Sequence, residues 1–376
     1  MQQLRLRFFD VEAEILSDCA DYIKLFALMY RRFLTQASSA RQPPLRFILQ
    51  TQPDNTWDKP MLNLHGEAWP VDDPRFLNSF FYDCVLNAIV AHVRSHFLIH
   101  AGVVTWAGQG IILAGDASHG KTTLVLELLR RGFKFLSDEM AALGRADRLV
   151  HPFPRSLRIE PDSLGLTGFP DAAHAAPVWI GKLLLDIEEI RPDSLGQAAP
   201  IRHIIILQDP AEANSVKRDD AEQELGVLVN RIDDALLDAV CGIAGVADVR
   251  PTVERGYPAV RLRALHRMSV LSEIEQICHE QRILILDVSK REEKHPTFQA
   301  LPRLEAIPSS QTVLELLRRF QGGHKSTLLQ EEFGGSATRL FFELAETIGQ
   351  ANCFQLFVGR LHQMADLVCE LVRAPD

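Results

Sequence analysis

The sequence predicts an α/β protein with mixed sheets, and three observations carry that prediction. The stretch Gly115 to Thr123, Gly-Asp-Ala-Ser-His-Gly-Lys-Thr-Thr, fits G-x-x-x-x-G-K-[ST]. It lies between an apolar run, Gly110-Ile-Ile-Leu-Ala, and a helical pattern from Thr122 to Arg131 that Gly132 closes. Strand, glycine loop and helix start therefore follow in the order that a phosphate-holding loop needs. Further β-branched and aromatic runs, at 97–106, 133–137 and 201–208, alternate with helical patterns. Finally, 376 residues at 47% hydrophobic content suffice for two or three domains with a sizeable core.

Charge and cysteine usage exclude several classes. A net charge of −9 and a pI near 5.8, with no dense Lys/Arg block, leave no basic surplus for a nucleic-acid backbone. The six cysteines, Cys19, Cys84, Cys241, Cys278, Cys353 and Cys369, are scattered without a Cys-x-x-Cys, which points to reduced thiols and not to a zinc ribbon or disulfide framework. The N-terminus lacks a signal-peptide apolar stretch, and the most apolar window, Phe97 to Gly115, is broken by His100, four glycines and Gln109. The expectation is a cytoplasmic protein with no membrane partner.

In chain order, Leu4 to Phe9 reads as a strand, Ala20 to Leu34 as a helix, and Leu45 to Gln50 as a strand after Pro43-Pro44. Residues 52–73, rich in Pro, Asn, Asp and Gly, read as loop with one hairpin. A helix then starts at Pro74, after Asp72-Asp73, and presents Phe80, Phe81, Cys84, Val85, Ala88 and Ile89 on a broad apolar face up to Ser95. His92, His96 and His100 are four apart, but the helix should end before the third, and no carboxylate at ligand spacing supports a metal stripe. Phe97 to Gly115 reads as two strands joined at Ala107-Gly108-Gln109-Gly110, which sets His100 in the sheet beside the loop.

The candidate nucleotide contacts are Gly115, Asp116, Ala117, Ser118, His119, Gly120, Lys121, Thr122 and Thr123. Glycines let backbone N–H groups turn inward around phosphate oxygens, and the helix N-terminus adds partial positive charge. Lys121 would reach the outer phosphates, and the Thr122 hydroxyl would hold Mg²⁺. The next strand, Phe133 to Ser137, ends in Asp138 and Glu139, where a nucleotide enzyme keeps a magnesium ligand or a general base.

Together, His100 before a hairpin, the loop Gly115 to Thr122, the helix ending Arg130-Arg131-Gly132, and Ser137-Asp138-Glu139 resemble HPr kinase/phosphorylase and its HPr-kinase-like relatives. A more distant likeness is to phosphoenolpyruvate carboxykinase. His151-Pro-Phe-Pro-Arg-Ser-Leu-Arg-Ile-Glu-Pro, the strand from Ile201 to Gln208, and the segment Cys353 to Ala365 are similar to the kinase-like branch. The resemblance spans about half the chain. It implies a P-loop core of that type, with ATP and Mg²⁺ as cofactors. It also implies that Lys121 and His100 act in catalysis and that Asp138 deprotonates an acceptor hydroxyl, with Thr122, Asp138 and Glu139 at the metal. Two departures limit the carry-over: Glu139 stands where the family has aspartate, and the Glu-x-Arg-Gly-Leu-Gly signature of the reverse reaction is absent. Phosphorylase activity and recognition of HPr itself are not implied.

The remaining segments set the domain expectation: an N-terminal α+β region over 1–95, the nucleotide-binding core over 96–208 and 295–376, and an inserted lobe over 209–294 that could recognise substrate or partner. That lobe opens with Asp219, Asp220, Glu222 and Glu224 and reads as a helix over Leu225 to Val240, strands over Val246 to Val253 and Ala259 to Ala264, a helix over Val270 to Glu280, and a strand over Ile283 to Val288, an α-β-β-α-β order. Arg261, Arg263 and Arg267 read as a solvated face. A serine-capped helix follows Pro308, Gly322 to Thr327 reads as linker, and helices near 336–348 and 359–372 close the chain. The functional expectation is an ATP-dependent kinase acting on a hydroxyl of a protein, peptide or small molecule, with self-association left open. The alternative is a nucleotide-binding regulatory or assembly protein without phosphotransfer.

Overall fold

Runs of β-branched and aromatic residues become strands in four sheets, and the largest is assembled on the hairpin β6 (His96–Trp106) and β7 (Gln109–Gly115). In this computed structural model residues 1–36, 43–52, 60–70, 77–116, 119–159, 177–179, 182–210, 223–254, 257–290, 299–322 and 326–374 are described. Ala107 (φ 49°) and Gly108 (φ 77°) form the two-residue turn between β6 and β7, the left-handed pair that a tight hairpin favours. The sheet adds β8 (Lys134–Ser137), β9 (Met140–Gly144), β10 (Leu149–His151), β14 (Ala199–Gln208), β19 (Arg303–Ala306) and β20 (Asn352–Phe357). β14 runs parallel to both β7 and β20, while the pairings of β6 with β7, β8 and β9 are antiparallel, so the sheet is mixed.

One detail of register positions the site. β8 and β9 lie along the same edge of β6, pairing Val103 with Ser137 and His100 with Met140, so they form one long strand interrupted only at Asp138-Glu139. The two acids are thereby held opposite Gly102 and Ala101. Helices α3 (Lys121–Arg130) and α9 (Leu361–Arg373) cover one face of the sheet through Leu124, Leu128, Met364 and Val368. Helices α7 (Ser309–Leu317) and α8 (Ala337–Thr347) cover the other through Val313, Leu316, Leu340 and Leu344.

The N-terminal sheet follows chain order, β1 (Gln2–Phe8), β2 (Val11–Ser17), β3 (Leu45–Gln50), β4 (Met61–Leu64) and β5 (Glu67–Pro70), and packs on α1 (Ala20–Met29) and α2 (Leu77–His92). The expected helix over 20–34 stops at Met29 and continues as a 3₁₀ turn over Arg31–Phe33, and β2 was not anticipated. The β4–β5 hairpin is the one expected in the 52–73 segment, whereas Asp72, Asp73 and Pro74 lie outside the described residues. A small sheet of β11 (Leu157–Ile159), β12 (Val178–Trp179) and β13 (Lys182–Leu185) precedes the turn α4 (Ile187–Ile190).

Residues 223–290 build the fourth sheet from β15 (Gln223–Val229), α5 (Asp234–Cys241), β16 (Val246–Glu254), β17 (Tyr257–Ala264), α6 (Arg267–Glu280) and β18 (Ile285–Lys290). The strand order β16-β17-β15-β18, all antiparallel, is that of a split β-α-β unit. Here the structure corrects the expected helix over 225–240. Its first half, Leu-Gly-Val-Leu-Val, is a strand pairing on both sides, and the helix begins only after Asp233, whose carboxylate caps it by accepting from Leu236 N. Arg261 also departs from the solvated reading: it is buried and paired with Glu254 at 2.7 Å. Glu224 pairs with Arg250, whereas Asp219, Asp220, Glu222 and His324 lie outside the described residues. The helix after Pro308 has that proline, not a serine, at its cap position, and Ser336 caps α8. All six cysteines are free thiols, and no helix among the described residues is long and apolar enough to cross a membrane.

The anchor between α3 and α9 is a buried carboxylate. Glu127, fully enclosed, accepts from Arg130 and Arg131 at 2.9 Å and pairs with His362 at 3.1 Å, and Arg131 also reaches Asp366. Burial alone would raise its pKa, but these partners outweigh it and bring the group down to about 2. A depressed carboxylate stabilises the fold above its unfolded pKa and loses that contribution as pH falls toward the folded value. Stability should therefore drop between about pH 4.5 and 2, and Glu127→Gln should remove roughly 2–3 kcal/mol at pH 7 while flattening that acid limb in urea denaturation.

Candidate functional site

The loop expected to hold phosphate sits at the end of β7, where a Cβ on Gly115 would come within 2.9 Å of Leu207 Cβ on β14. Only glycine lets the two parallel strands approach that closely. Gly120 takes the left-handed conformation (φ 77°) as the cap of α3 and supplies no side-chain cap, so the first amides of the helix are left facing the loop. Lys121 is 7% exposed, and its Nζ donates to the carbonyls of Gly115 and Asp116 at 2.9 Å each. Burial pulls its pKa down to about 8, against the pull of the nearby acids. His119 is buried with Nδ1 3.1 Å from Leu207 O, Thr122 and Thr123 are half-buried in the first helical turn, and Ala117 and Ser118 lie outside the described residues.

The acids arrive from the interruption between β8 and β9. Ser137 Oγ accepts from the amides of Glu139 (3.2 Å) and Met140 (2.8 Å), and Ala101 N donates to Glu139 O at 3.1 Å, which fixes the break. Asp138 is 2% exposed and its Oδ1 has no hydrogen-bond partner among the described residues. Desolvation pushes its pKa up to about 6, although the Arg155 guanidinium 3.8 Å away opposes the shift. Glu139 behaves oppositely. Burial acts to raise it, but Arg155 at 2.6 Å and His100 at 3.4 Å hold it well below the usual carboxylate range. Neighbouring carboxyls pushed apart in this way are suited to different roles, one to carry fixed charge and one to exchange a proton near neutrality.

Arg155 was not foreseen as a site residue. It follows β10 in the segment Pro152-Phe-Pro-Arg, where Arg155 N donates to Phe153 O at 3.0 Å, and runs its guanidinium under both acids, with Nη1 donating to Tyr82 Oη on α2 at 2.8 Å. The two flanking prolines and the apolar company of Phe153 were the available signal, since a lone arginine there has no surface role to play. Arg319 was missed as well. It follows α7, belongs to no motif in the sequence, and contacts Asp116 Oδ1 at 2.6 Å.

Of the predicted residues, Lys121, Asp138, Glu139 and His100 converge, with Asp116 at the mouth. His92 and His96 do not join them. His92 Nδ1 bonds Ala88 O within its own helix, and His96 stacks on Phe9 at 3.9 Å. Among the described residues no three His, Cys, Asp or Glu side chains cluster as a preformed metal cage.

No family model matches the chain, and no curated protein matches it. Among solved structures, the chain is similar to the Hpr(Ser) kinase/phosphatase from Coxiella burnetii, at 16% sequence identity, covering 49% of this chain and 95% of that one with a TM-score of 0.22.

Removing the buried cation should strand an ionised carboxylate. Arg155→Met is expected to cost roughly 3–5 kcal/mol in chemical denaturation at pH 7, and Tyr82→Phe, which deletes one hydrogen bond, about 1 kcal/mol. An Arg155→Met protein within 1 kcal/mol of wild type would contradict the charge arrangement described.

Proposed function

We propose that the protein is an ATP-dependent kinase that moves the γ-phosphoryl group to a hydroxyl acceptor. The observation that carries this reading is Asp138: a carboxyl with an unpartnered buried oxygen and a pKa near 6, set beside a glycine loop with its lysine and an anionic neighbour already neutralised. A structural carboxylate would have its oxygens satisfied, whereas a general base needs one free. The acceptor hydroxyl gives its proton to Asp138 Oδ1 as its oxygen bonds to the γ-phosphorus. The bond from that phosphorus to the bridging oxygen breaks, and its electron pair leaves on ADP. Lys121 and the α3 amides offset the charge that develops on the phosphate oxygens. Glu139 stays ionised, keeps Arg155 in place and maintains the negative field that favours a proton on its neighbour.

The carboxylate oxygens of Asp138 and Glu139 other than the proton-accepting Oδ1, together with the Thr122 hydroxyl, are the ligand types that hard cations select, so the site suits magnesium. Thr122 and the pair Asp138 and Glu139 are the residues that would hold it, and the ion supplies charge neutralisation on the phosphates. His100 supports Glu139 from the β6 side.

The acceptor is proposed to meet the lobe formed by 209–294. Support comes from proximity through one helix: Tyr257 on β17 donates to Asp83 Oδ2 at 2.7 Å, and the adjacent Tyr82 is the residue that holds Arg155. A partner bound by the lobe thus has a short mechanical route to the acids.

Lys121→Ala should weaken ATP at least tenfold, about 1.4 kcal/mol, in calorimetric titration. Asp138→Asn should lower phosphoryl transfer by roughly 10²–10⁴-fold with binding retained, and high Mg²⁺ should not restore it, whereas a pure metal ligand would be rescued. Because the base must be unprotonated, the wild-type transfer rate should fall as pH drops through about 6, and this limb should vanish in Asp138→Asn. Wild-type rates in Asp138→Asn would overturn the proposal.

A further inference from the structure

Arg319 reaches the phosphate loop across 203 positions of sequence, Nη2 donating to Asp116 Oδ1 at 2.6 Å. Its side chain is only 9% exposed. Nη1 is divided between the carbonyl and a carboxylate oxygen of Glu315, each at 2.7 Å, and Nε is buried without a hydrogen-bond partner among the described residues. The guanidinium is therefore enclosed at the loop with part of its donor capacity unused.

The Arg319 backbone is held independently of those ion pairs. Arg319 O accepts from His100 N at 2.9 Å, Gln321 N donates to Leu98 O at 2.8 Å, and Phe320 bridges Ile99, so the end of α7 is stitched along β6 beside the acids. The two carboxylates differ in how firmly they hold it. Glu315 sits one turn back on the same helix and is largely enclosed, while Asp116 is half exposed, and a solvated partner of this kind contributes little. An incoming phosphate carries more charge and offers paired oxygens to a guanidinium fork, which gives it the advantage over a single aspartate.

We propose that Arg319 is a further cation of the nucleotide site, one that receives the terminal phosphate of ATP, and that Asp116 is an internal anion holding that place until the nucleotide displaces it. The inference rests on the nucleotide reading of the loop. Displacement frees the Asp116 carboxylate to solvent while Glu315 and the β6 stitching keep the guanidinium where it is. Arg319 and Lys121 lie close enough for their charges to be felt by each other, so a terminal phosphate received by one is also near the other.

The test uses full-length wild type, Arg319→Gln, Arg319→Lys and Asp116→Ala, with calorimetric affinities for ATP and ADP and a thermal melt for each. Arg319→Gln should weaken ATP by tenfold or more and ADP by less than threefold, and Arg319→Lys should recover part of the loss. Asp116→Ala should tighten ATP several-fold, because the competing anion is gone. This arm stands even if Arg319→Gln melts early, since Asp116 is half exposed. ATP affinity unchanged in Arg319→Gln, equal losses for ATP and ADP, or weaker ATP binding in Asp116→Ala would each overturn the inference while leaving the kinase reading intact. A wild-type protein that binds neither nucleotide would overturn both.

Discussion

Burying a guanidinium as completely as that of Arg155 costs several kcal/mol unless anions and hydrogen-bond acceptors meet it, and satisfying that requirement organises the centre of the molecule. Glu139 and Tyr82 supply the direct contacts and Asp138 lies at 3.8 Å, the two acids coming from the break between β8 and β9 and the tyrosine from α2. Arg155 therefore ties the main sheet to α2, and α2 in turn carries the hydrophobic contacts of the N-terminal sheet. Pairing also divides the acids. One guanidinium makes a close contact with one carboxylate, so the second is left with the desolvation penalty and a pKa near 6.

Close backbone approach sets the geometry around this charge. A Cβ on Gly102 would sit 2.8 Å from Val125 Cγ2, so glycine in β6 is what allows α3 to lie flat on the sheet beneath the loop. Gly115 plays the same part between β7 and β14. With both contacts tight, the N-terminus of α3 is directed toward the acids and Lys121 is buried beneath the loop. Burial then lowers the lysine pKa and strengthens whatever anion it meets, since the surrounding dielectric is low.

Much of this could be read from the chain, and the failures have physical causes. The strand and the helix on either side of the glycine motif were legible because motif, apolar run and glycine stop coincide within Gly110 to Gly132. The hairpin at Ala107-Gly108 was legible for the same reason, as local turn chemistry decides it. β15 was misread as helix because Leu-Gly-Val-Leu-Val is apolar on both faces, and a strand buried between two neighbours loses the alternation that would reveal it. Val11 to Ser17 was missed since Glu12 and Glu14 dilute its apolar content, yet they pair across the strand with Arg7 and Arg5. Of the candidate site, the positions of Lys121, Asp138 and Glu139 follow from local sequence, but Arg155 and Arg319 pair with Glu139 and Asp116 from 16 and 203 residues away, and pairing at that distance leaves no periodicity to detect.

The same distances determine how the charges of the centre are placed. Lys121 and Thr122 belong to the first turn of α3, Asp138 and Glu139 to the break between β8 and β9, Arg155 to the segment after β10, and Arg319 to the end of a helix that packs on the opposite face. The backbone of each has its own place in the fold, while the side chains also hold one another, Arg155 with Glu139 and Arg319 with Glu315 and the exposed Asp116. In the proposed nucleotide reading, charges placed in this way lose little by reorganising when a phosphate arrives, which is the property that makes preorganised sites effective. The exposed Asp116 carboxylate would then be the cheapest group to move, and the polyanion displacing it would gain positions whose desolvation folding has already paid for at Lys121, Arg155 and Arg319.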